Sequence, residues 1–489
     1  MKNKEKKKKI ISNILVFIIA LLFIASFYIK KNLALVNFEE IVYYLNSGLS
    51  NSDNSSIFIA IKECLPYLIV LFLLLYIIFN GIKIKDKLYS IKYFTNYKKI
   101  YIVILLVLSL GLLLNNLNLF EYLININTNS EFIENNYIDP KDTNITFNKK
   151  NNLIFIVVES LESSFFTKEQ GGYWNYEIIP ELYNLTKDKD SISNSNSITM
   201  KMLRGASFTT GSVVTNTTGI PLKSNLGGKG FTSSSYMPGS YALGDLLKDN
   251  GYYNELISAS NTTFGGLKDY YKNHGNFEII DIDTLNKYNL KMTSDDKGRW
   301  GFNDKYLFEI AKKRLDIISK KEEPFDLQLI TIDTHFFDGF IGNYSETKHN
   351  LQYENAYATT SKLINDFVNW LKEQPYYKDT TIVIVGDHLT MQSNFINDSE
   401  YKDRSVYNCI INPVNNMKIN KDRKVTALDT YPTIVASIGG IIKGNKLGLG
   451  INIFSEEKTL IEEYGLKKLD NELKKNSKYY KNKILKEDR

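Results

Sequence analysis

Ile10 to Ile29 is an uncharged apolar run of roughly bilayer-spanning length, and it follows a cluster of basic residues: Lys2, Lys4, Lys6, Lys7, Lys8 and Lys9. Such a run cannot form the surface of a water-soluble domain, because every apolar side chain turned to water loses hydrophobic free energy. It lacks the short apolar core and small-residue cleavage site of a signal peptide, so it reads as an uncleaved helix. Leu65 to Ile82 is a second span, interrupted only by Pro66 and Asn80, and Tyr101 to Leu114 opens a third that runs toward Phe120. Lys83, Lys85, Lys87, Lys92, Lys98 and Lys99 crowd the loop between spans two and three. The loop between spans one and two carries Glu39, Glu40 and Asp53 and little basic charge beyond Lys30, Lys31 and Lys62. Basic loops stay cytoplasmic, so three crossings place everything after about Leu123 outside the cytoplasm. The expectation is a multi-pass protein of the cytoplasmic (plasma) membrane with an extracytoplasmic domain.

The chain divides accordingly. Residues 1–120 form the membrane part and 121–150 a polar, Asn-rich linker. Residues 151–455 form the soluble domain, and 456–489 a charged, Lys-rich tail read as a surface helix. Within the soluble domain, strand patterns at Leu153–Val158, Tyr253–Ser258, Leu327–Ile332, Thr381–Val385 and Val406–Ile411 alternate with helix patterns. The helix patterns include Tyr241–Asn250, Phe264–Asn273, Asp304–Ser319, Tyr353–Glu373 and Ala427–Ile438. That alternation predicts an α/β sandwich around a mostly parallel sheet. Ligands of such sheets gather beyond the carboxyl ends of the strands.

The chemistry-bearing residues sit at those ends. The run Val383-Ile384-Val385 leads through Gly386 into Asp387-His388, and Leu153 to Val158 leads into Glu159. Two carboxylates and an imidazole are good ligands for a divalent metal. Gly205-Ala206-Ser207-Phe208-Thr209-Thr210-Gly211-Ser212 offers hydroxyls on a small-residue segment that leads into a helix at Val213-Val214. Thr209 fits as a fourth ligand and activated nucleophile, with the helix N-terminus available to an anion. Taken singly, each has a plainer explanation: Glu159 as a helix N-terminal acid, Thr209 or Thr210 as a cap, Asp387-His388 as a chance pair after a strand. Their shared position in one predicted cleft favours the metal site. The four histidines are His274, His335, His349 and His388. His335 follows the strand pattern ending at Ile332 and suits proton donation or phosphate binding. Asp338-Gly339 suits a turn or an acceptor-binding edge, and His274 and His349 read as exposed. The two cysteines, Cys64 and Cys409, are too few for a thiolate metal site. A net charge of +6 over 489 residues gives no sign of nucleic-acid binding.

Val157-Val158-Glu159-Ser160, Ser207-Phe208-Thr209, Gly219-Ile220-Pro221-Leu222, Asp333-Thr334-His335 and Gly386-Asp387-His388 occur in an order that resembles the sulfatase-like phosphoglycerol transferases. Asn273-His274-Gly275, Trp300-Gly301-Phe302, Asp338-Gly339-Phe340 and Leu447-Gly448-Leu449-Gly450 extend the likeness from about Asn151 to Ser455. It is greatest to the membrane-bound phosphoglycerol transferase I branch and more distant to lipoteichoic acid synthases. The resemblance implies an alkaline phosphatase superfamily fold. It implies one divalent metal, manganese with magnesium or zinc as alternatives, on Glu159, Thr209, Asp387 and His388. Thr209 would be the nucleophile, and His335, Asn261, Lys268, Trp300 and Asp338 would line the substrate site. The donor would be phosphatidylglycerol, and the acceptor a glycan, glycolipid or teichoic acid of the cell envelope.

Two departures refine this. Phe208-Thr209-Thr210-Gly211-Ser212 lacks the Pro and Arg of the sulfatase Cys-x-Pro-x-Arg signature, which argues against sulfate-ester hydrolysis. Phe264-Gly265-Gly266-Leu267, followed by Lys268, stands where lipoteichoic acid synthases carry Phe-Trp-Asn-Arg, which argues against polymerisation. The rival readings are a phosphoethanolamine transferase, a metal-dependent phosphodiesterase or sulfatase-like hydrolase, and a non-catalytic envelope protein that keeps the fold to bind lipid or glycan.

Overall fold

The computed structural model describes residues 2–32, 38–47, 54–84, 87–193, 198–224, 230–392, 395–397, 401–419 and 422–486. Asp53 and Lys85, both used above to orient the spans, lie outside these residues. The first helices are α1 (Lys2–Asn32), α2 (Phe38–Ser47), α3 (Asn54–Asn80) and α4 (Lys98–Asn116). The chain forms two compact units: Met1–Phe38 with Asp53–Ile124, and Glu39–Ser52 with Asn125–Arg489.

In the first unit, Lys6–Asn32, Phe58–Asn80 and Lys98–Asn116 are long and apolar enough to cross a membrane. Val16, Ile19, Phe79 and Ile102 form a small buried core between them. Asn116 Nδ2 donates to Ser26 Oγ at 2.9 Å, a polar tie of the kind that joins helices in lipid. Most other apolar side chains point outward, among them Phe17, Leu21, Leu73, Val103 and Val107. Hydrocarbon is the solvent that such a surface requires.

The second unit is built on a seven-stranded sheet. Its strands are β1 (Asn152–Val158), β2 (Ser191–Ser193), β3 (Tyr253–Ser258), β4 (Glu278–Ile280), β5 (Phe325–Ile330), β6 (Thr380–Gly386) and β7 (Asn408–Ile411). They lie in the order β4-β3-β5-β1-β6-β7-β2, with β7 antiparallel to both its neighbours and all other pairs parallel. The central strands are buried along nearly their whole length, which is why they read as continuous apolar runs rather than alternating ones. Helices α5 (Thr209–Thr218), α6 (Asp304–Ile318) and α7 (Gln352–Lys372) belong to this unit, and the buried faces of α6 and α7 pack into its main core.

The strand register positions the site. Val157 pairs with Val385 and Val158 with Gly386, so the next residues, Glu159 and Asp387, leave adjacent parallel strands side by side. Ile330 pairs with Val157, so the segment carrying His335 leaves at the same edge.

Two expectations at the ends of the soluble domain differ from the structure. Ile145–Phe147, inside the expected linker, pairs antiparallel with Gly440–Ile442. The expected surface tail buries Leu460, Ile461, Leu469, Leu473, Tyr480, Ile484 and Leu485. Its apolar residues are spaced among lysines, so composition hid an amphipathic helix at Leu466–Lys474.

Gly386 has no room for a side chain: a Cβ there would stand 1.9 Å from the Leu161 carbonyl oxygen. Gly386→Ala should therefore push β6 away from the turn after β1, at a cost of roughly 3 kcal/mol. Thermal unfolding of the purified full chain should show a lower melting temperature than wild type, and an unchanged one would contradict the strand register.

Candidate metal and nucleophile site

Ligand atoms of Glu159, Asp387 and His388 all lie within 4.8 Å of one another, and all three residues are buried. His388 Nε2 is 3.3 Å from Asp387 Oδ2 and 3.6 Å from Glu159 Oε1. His388 Nδ1 donates to the Leu389 carbonyl at 2.9 Å, which fixes the tautomer and leaves Nε2 aimed into the cluster. Asp387 Oδ1 accepts from the backbone N–H of Ser160 at 2.6 Å and of His388 at 2.7 Å. Its other oxygen, Oδ2, is buried and accepts no hydrogen bond among the described residues. An orphaned carboxylate oxygen beside a second carboxylate and an imidazole lone pair is the donor set that a divalent cation satisfies.

Electrostatics agree with this. Burial, and then the Glu159 charge, push the Asp387 carboxyl up to about 7. Burial lowers the basicity of His388, but the Asp387 and Glu159 charges outweigh it and raise it. The pocket concentrates negative charge and must take up positive charge to be stable.

The hydroxyl reaches the cluster from α5. Thr209 Oγ1 donates to Glu159 Oε2 at 3.2 Å. Thr209 is the first residue of α5, where the helix N–H groups have no intrahelical acceptor. Its neighbour Thr210 is buried, and its Oγ1 lies against Gly265, where a Cβ would stand 2.9 Å from it. The two threonines therefore differ in orientation, and Thr209 is the one facing the carboxylates.

Around these groups the backbone is pinned. Ser160 adopts a left-handed conformation at φ 52°, and its Oγ donates to Glu159 Oε1 at 2.7 Å. The Ile332–His335 segment is held by a buried carboxyl pair. Asp304 accepts from the N–H of Ile332 at 2.8 Å, and Asp333 accepts from the N–H of Asp304 at 2.9 Å and from the Tyr344 hydroxyl at 2.9 Å. Burial raises both acids, Asp304 to about 6, and the Asp304 charge raises Asp333 further. Thr334 Oγ1 donates to the Glu159 carbonyl, tying this segment to β1.

His335 packs against Trp300 with ring centroids 4.6 Å apart, and Arg299 lies over the same indole at 4.7 Å. Its Nδ1 donates to the Phe336 carbonyl at 2.6 Å. Burial depresses its basicity to about 4, so in the free site it is neutral with its lone pair at Nε2.

The structure thus brings together Glu159, Thr209, Asp387 and His388, and puts His335 and Trp300 in contact. The other expected substrate residues have local partners. Asn261 donates to Asp283 at 2.7 Å and accepts from Thr263, Asp338 is exposed and bonded to Gln392, and Lys268 is exposed at the start of a short helix. His274 is not exposed as expected. It is 4% accessible, with Nδ1 2.8 Å from Asp245 and Nε2 2.8 Å from the Tyr236 carbonyl, and polar neighbours in sequence gave no sign of that pairing. Sequence reasoning gave no role to Ser160 or Arg299, although Ser160 ends the motif Val157-Val158-Glu159-Ser160 and Arg299 stands beside Trp300.

Residues 151–437 match the sulfatase family. Phosphoglycerol transferase I of Salmonella choleraesuis is 30% identical over 320 residues, which is 63% of this chain and 39% of that protein. The Escherichia coli (strain SMS-3-5) protein of the same name is also 30% identical, over 62% of this chain and 38% of its own length. The chain therefore aligns with about two-fifths of the length of these relatives. Among solved structures, lipoteichoic acid synthase LtaP from Listeria monocytogenes superposes with a TM-score of 0.50 at 17% identity, covering 66% of this chain and 81% of that one. The lipooligosaccharide phosphoethanolamine transferase EptA from Neisseria meningitidis gives 0.52 at 10% identity, over 86% and 83%. These two likenesses establish the fold and nothing finer.

Ser160→Ala should weaken Mn2+ binding about tenfold by freeing the Glu159 carboxylate, while Asp387→Asn should abolish it. Isothermal titration of the full chain with Mn2+ checks both, and unaltered affinity in Asp387→Asn would remove the metal site.

Proposed function

The chain belongs to the sulfatase family, and from that premise we propose that it is a membrane-anchored phosphoglycerol transferase. It would move glycerophosphate from phosphatidylglycerol to a glycan or glycolipid of the cell envelope, with its catalytic unit outside the cytoplasm. The observation that carries this reading is the Thr209 hydroxyl, 3.2 Å from Glu159, beside the Asp387-His388 pair. The 30% identity to phosphoglycerol transferase I supports the choice of the transferred group.

Glu159, Asp387, His388 and Thr209 would hold one divalent cation, with Mn2+ preferred and Mg2+ or Zn2+ possible. When bound, it supplies charge neutralisation at the phosphoryl group and lowers the pKa of the hydroxyl. Thr209 Oγ attacks phosphorus, the bond from phosphorus to the diacylglycerol oxygen breaks, and that oxygen leaves with a proton as diacylglycerol. Glycerophosphate then sits on Thr209. An acceptor hydroxyl attacks the same phosphorus and returns Thr209 to its free form. His335 suits both halves: an arriving phosphodiester raises its pKa and lets it protonate the leaving oxygen, and its neutral form takes the acceptor's proton. Arg299 adds positive charge beside it. The α5 N-terminus offers backbone N–H groups to the phosphoryl oxygens.

With fluorescent-acyl phosphatidylglycerol and Mn2+, the full chain in detergent should release labelled diacylglycerol. Thr209→Ala should lower the rate at least about a thousandfold, and Thr210→Ala should lower it far less. Phosphatidylethanolamine run in parallel should be inert. Release from phosphatidylethanolamine alone would transfer the protein to the phosphoethanolamine transferases. Equal loss in Thr209→Ala and Thr210→Ala would contradict the nucleophile.

A further inference from the structure

The helix α2 lies in sequence between the first two membrane-crossing helices, yet Glu39–Ser52 belongs to the same compact unit as the catalytic residues. Its contacts are specific. The Tyr43 hydroxyl donates to the Gly265 carbonyl and lies 2.6 Å from the Tyr236 hydroxyl. The rings of Tyr43 and Tyr44 flank Phe208, the residue preceding Thr209, at centroid distances of 5.3 and 5.7 Å. Tyr44 also stacks on Phe264 at 5.3 Å. Asn46 Nδ2 donates to Ser224 Oγ at 2.8 Å. Glu40 is buried in the same unit.

The facing turn is built to receive these tyrosines. Gly265 and Gly266 adopt φ 63° and 68°. A Cβ on Gly265 would stand 2.9 Å from Thr210 Oγ1 and 3.3 Å from the Tyr44 ring. One on Gly266 would stand 3.3 Å from the Tyr43 hydroxyl. The space that side chains of this turn would take is filled by Tyr43 and Tyr44 together with Thr210 and Tyr236.

We propose that α2 is an integral part of the active site, with Tyr43 and Tyr44 as positioning residues that clamp Phe208 and the Gly265-Gly266 turn and so fix Thr209. The proposal rests on Thr209 being the nucleophile. Tyr43 acts through its hydroxyl and Tyr44 through its ring, so their conservative variants behave differently. In the full chain with Mn2+ and phosphatidylglycerol, Tyr43→Phe lowers kcat about tenfold and leaves KM within about twofold. Tyr44→Ala does the same, and Tyr44→Phe restores kcat to within about twofold of wild type.

Docking is read independently of catalysis. An Asn46→Cys, Ser224→Cys double variant on a Cys64→Ser background, oxidised with copper phenanthroline, should give the 46–224 disulfide by peptide mass spectrometry. Disulfide formation together with the kcat losses supports the proposal. Absence of the disulfide, or kcat within twofold of wild type in both Tyr43→Phe and Tyr44→Ala, overturns it. If wild type releases no diacylglycerol while the disulfide forms, the donor assignment fails and docking stands. The same tyrosine variants are then compared on Mn2+-dependent cleavage of bis(4-nitrophenyl) phosphate, where an unchanged kcat overturns the clamp.

Discussion

Two carboxylates and an imidazole are forced into one buried pocket because β1 and β6 run parallel, in register, and end together. Like charges about 4 Å apart repel by roughly 4 kcal/mol at an effective dielectric of about 20. A fold of marginal stability does not keep such a pocket without something that offsets the repulsion. Protons do so partly, as the raised carboxyl of Asp387 shows. A divalent cation does so fully and leaves the anionic forms in place. The sheet register is thus the origin of the chemistry: it fixes where the ligands are, and their mutual repulsion dictates what they bind.

The segments around the pocket serve the same end. Ser160 occupies a left-handed conformation, and it presents its N–H to Asp387 and its hydroxyl to Glu159 from one residue. Non-glycine residues in that region persist only where their surroundings over-determine them. The Asp304–Asp333 pair plays the corresponding part for His335. A buried carboxyl that accepts backbone N–H groups is a rigid pin, and two of them hold the segment that places the imidazole.

The sequence made the core of this arrangement legible because its signals are local. Continuous apolar runs ending at Glu159 and at Gly386-Asp387 announce central parallel strands and the ligands beyond them. Thr209 was distinguishable from Thr210 only by motif, whereas in the structure the Thr209 hydroxyl donates to Glu159 and the Thr210 hydroxyl lies against Gly265. What stayed hidden depends on contacts distant in sequence. His274 reads as exposed among Asn273, Gly275 and Asn276, yet it is buried by Asp245 and Tyr236. The lysine-rich C-terminal segment reads as surface, yet its leucines are spaced to pack. Gly265-Gly266 reads only as a departure from a pattern, because nothing nearby in sequence shows that tyrosines from α2 occupy that space.

That last point bears on how the protein is organised. Membrane segments 6–32 and 58–80 flank α2, so the chain contributes to the catalytic unit, returns to the membrane unit, and only later supplies the sheet. A loop with three acids, Glu39, Glu40 and Asp53, reads as a topological connector. Here its buried Val42 and Tyr43, at 0% and 1% accessibility, show that it is core. A side chain excluded from water on a loop between membrane helices has to be matched by a complementary surface, and the paired glycines supply it. In the proposed clamp, the position of Thr209 depends on residues more than 150 positions upstream, between Glu39 and Ser47. The catalytic unit is continuous in space and discontinuous in sequence.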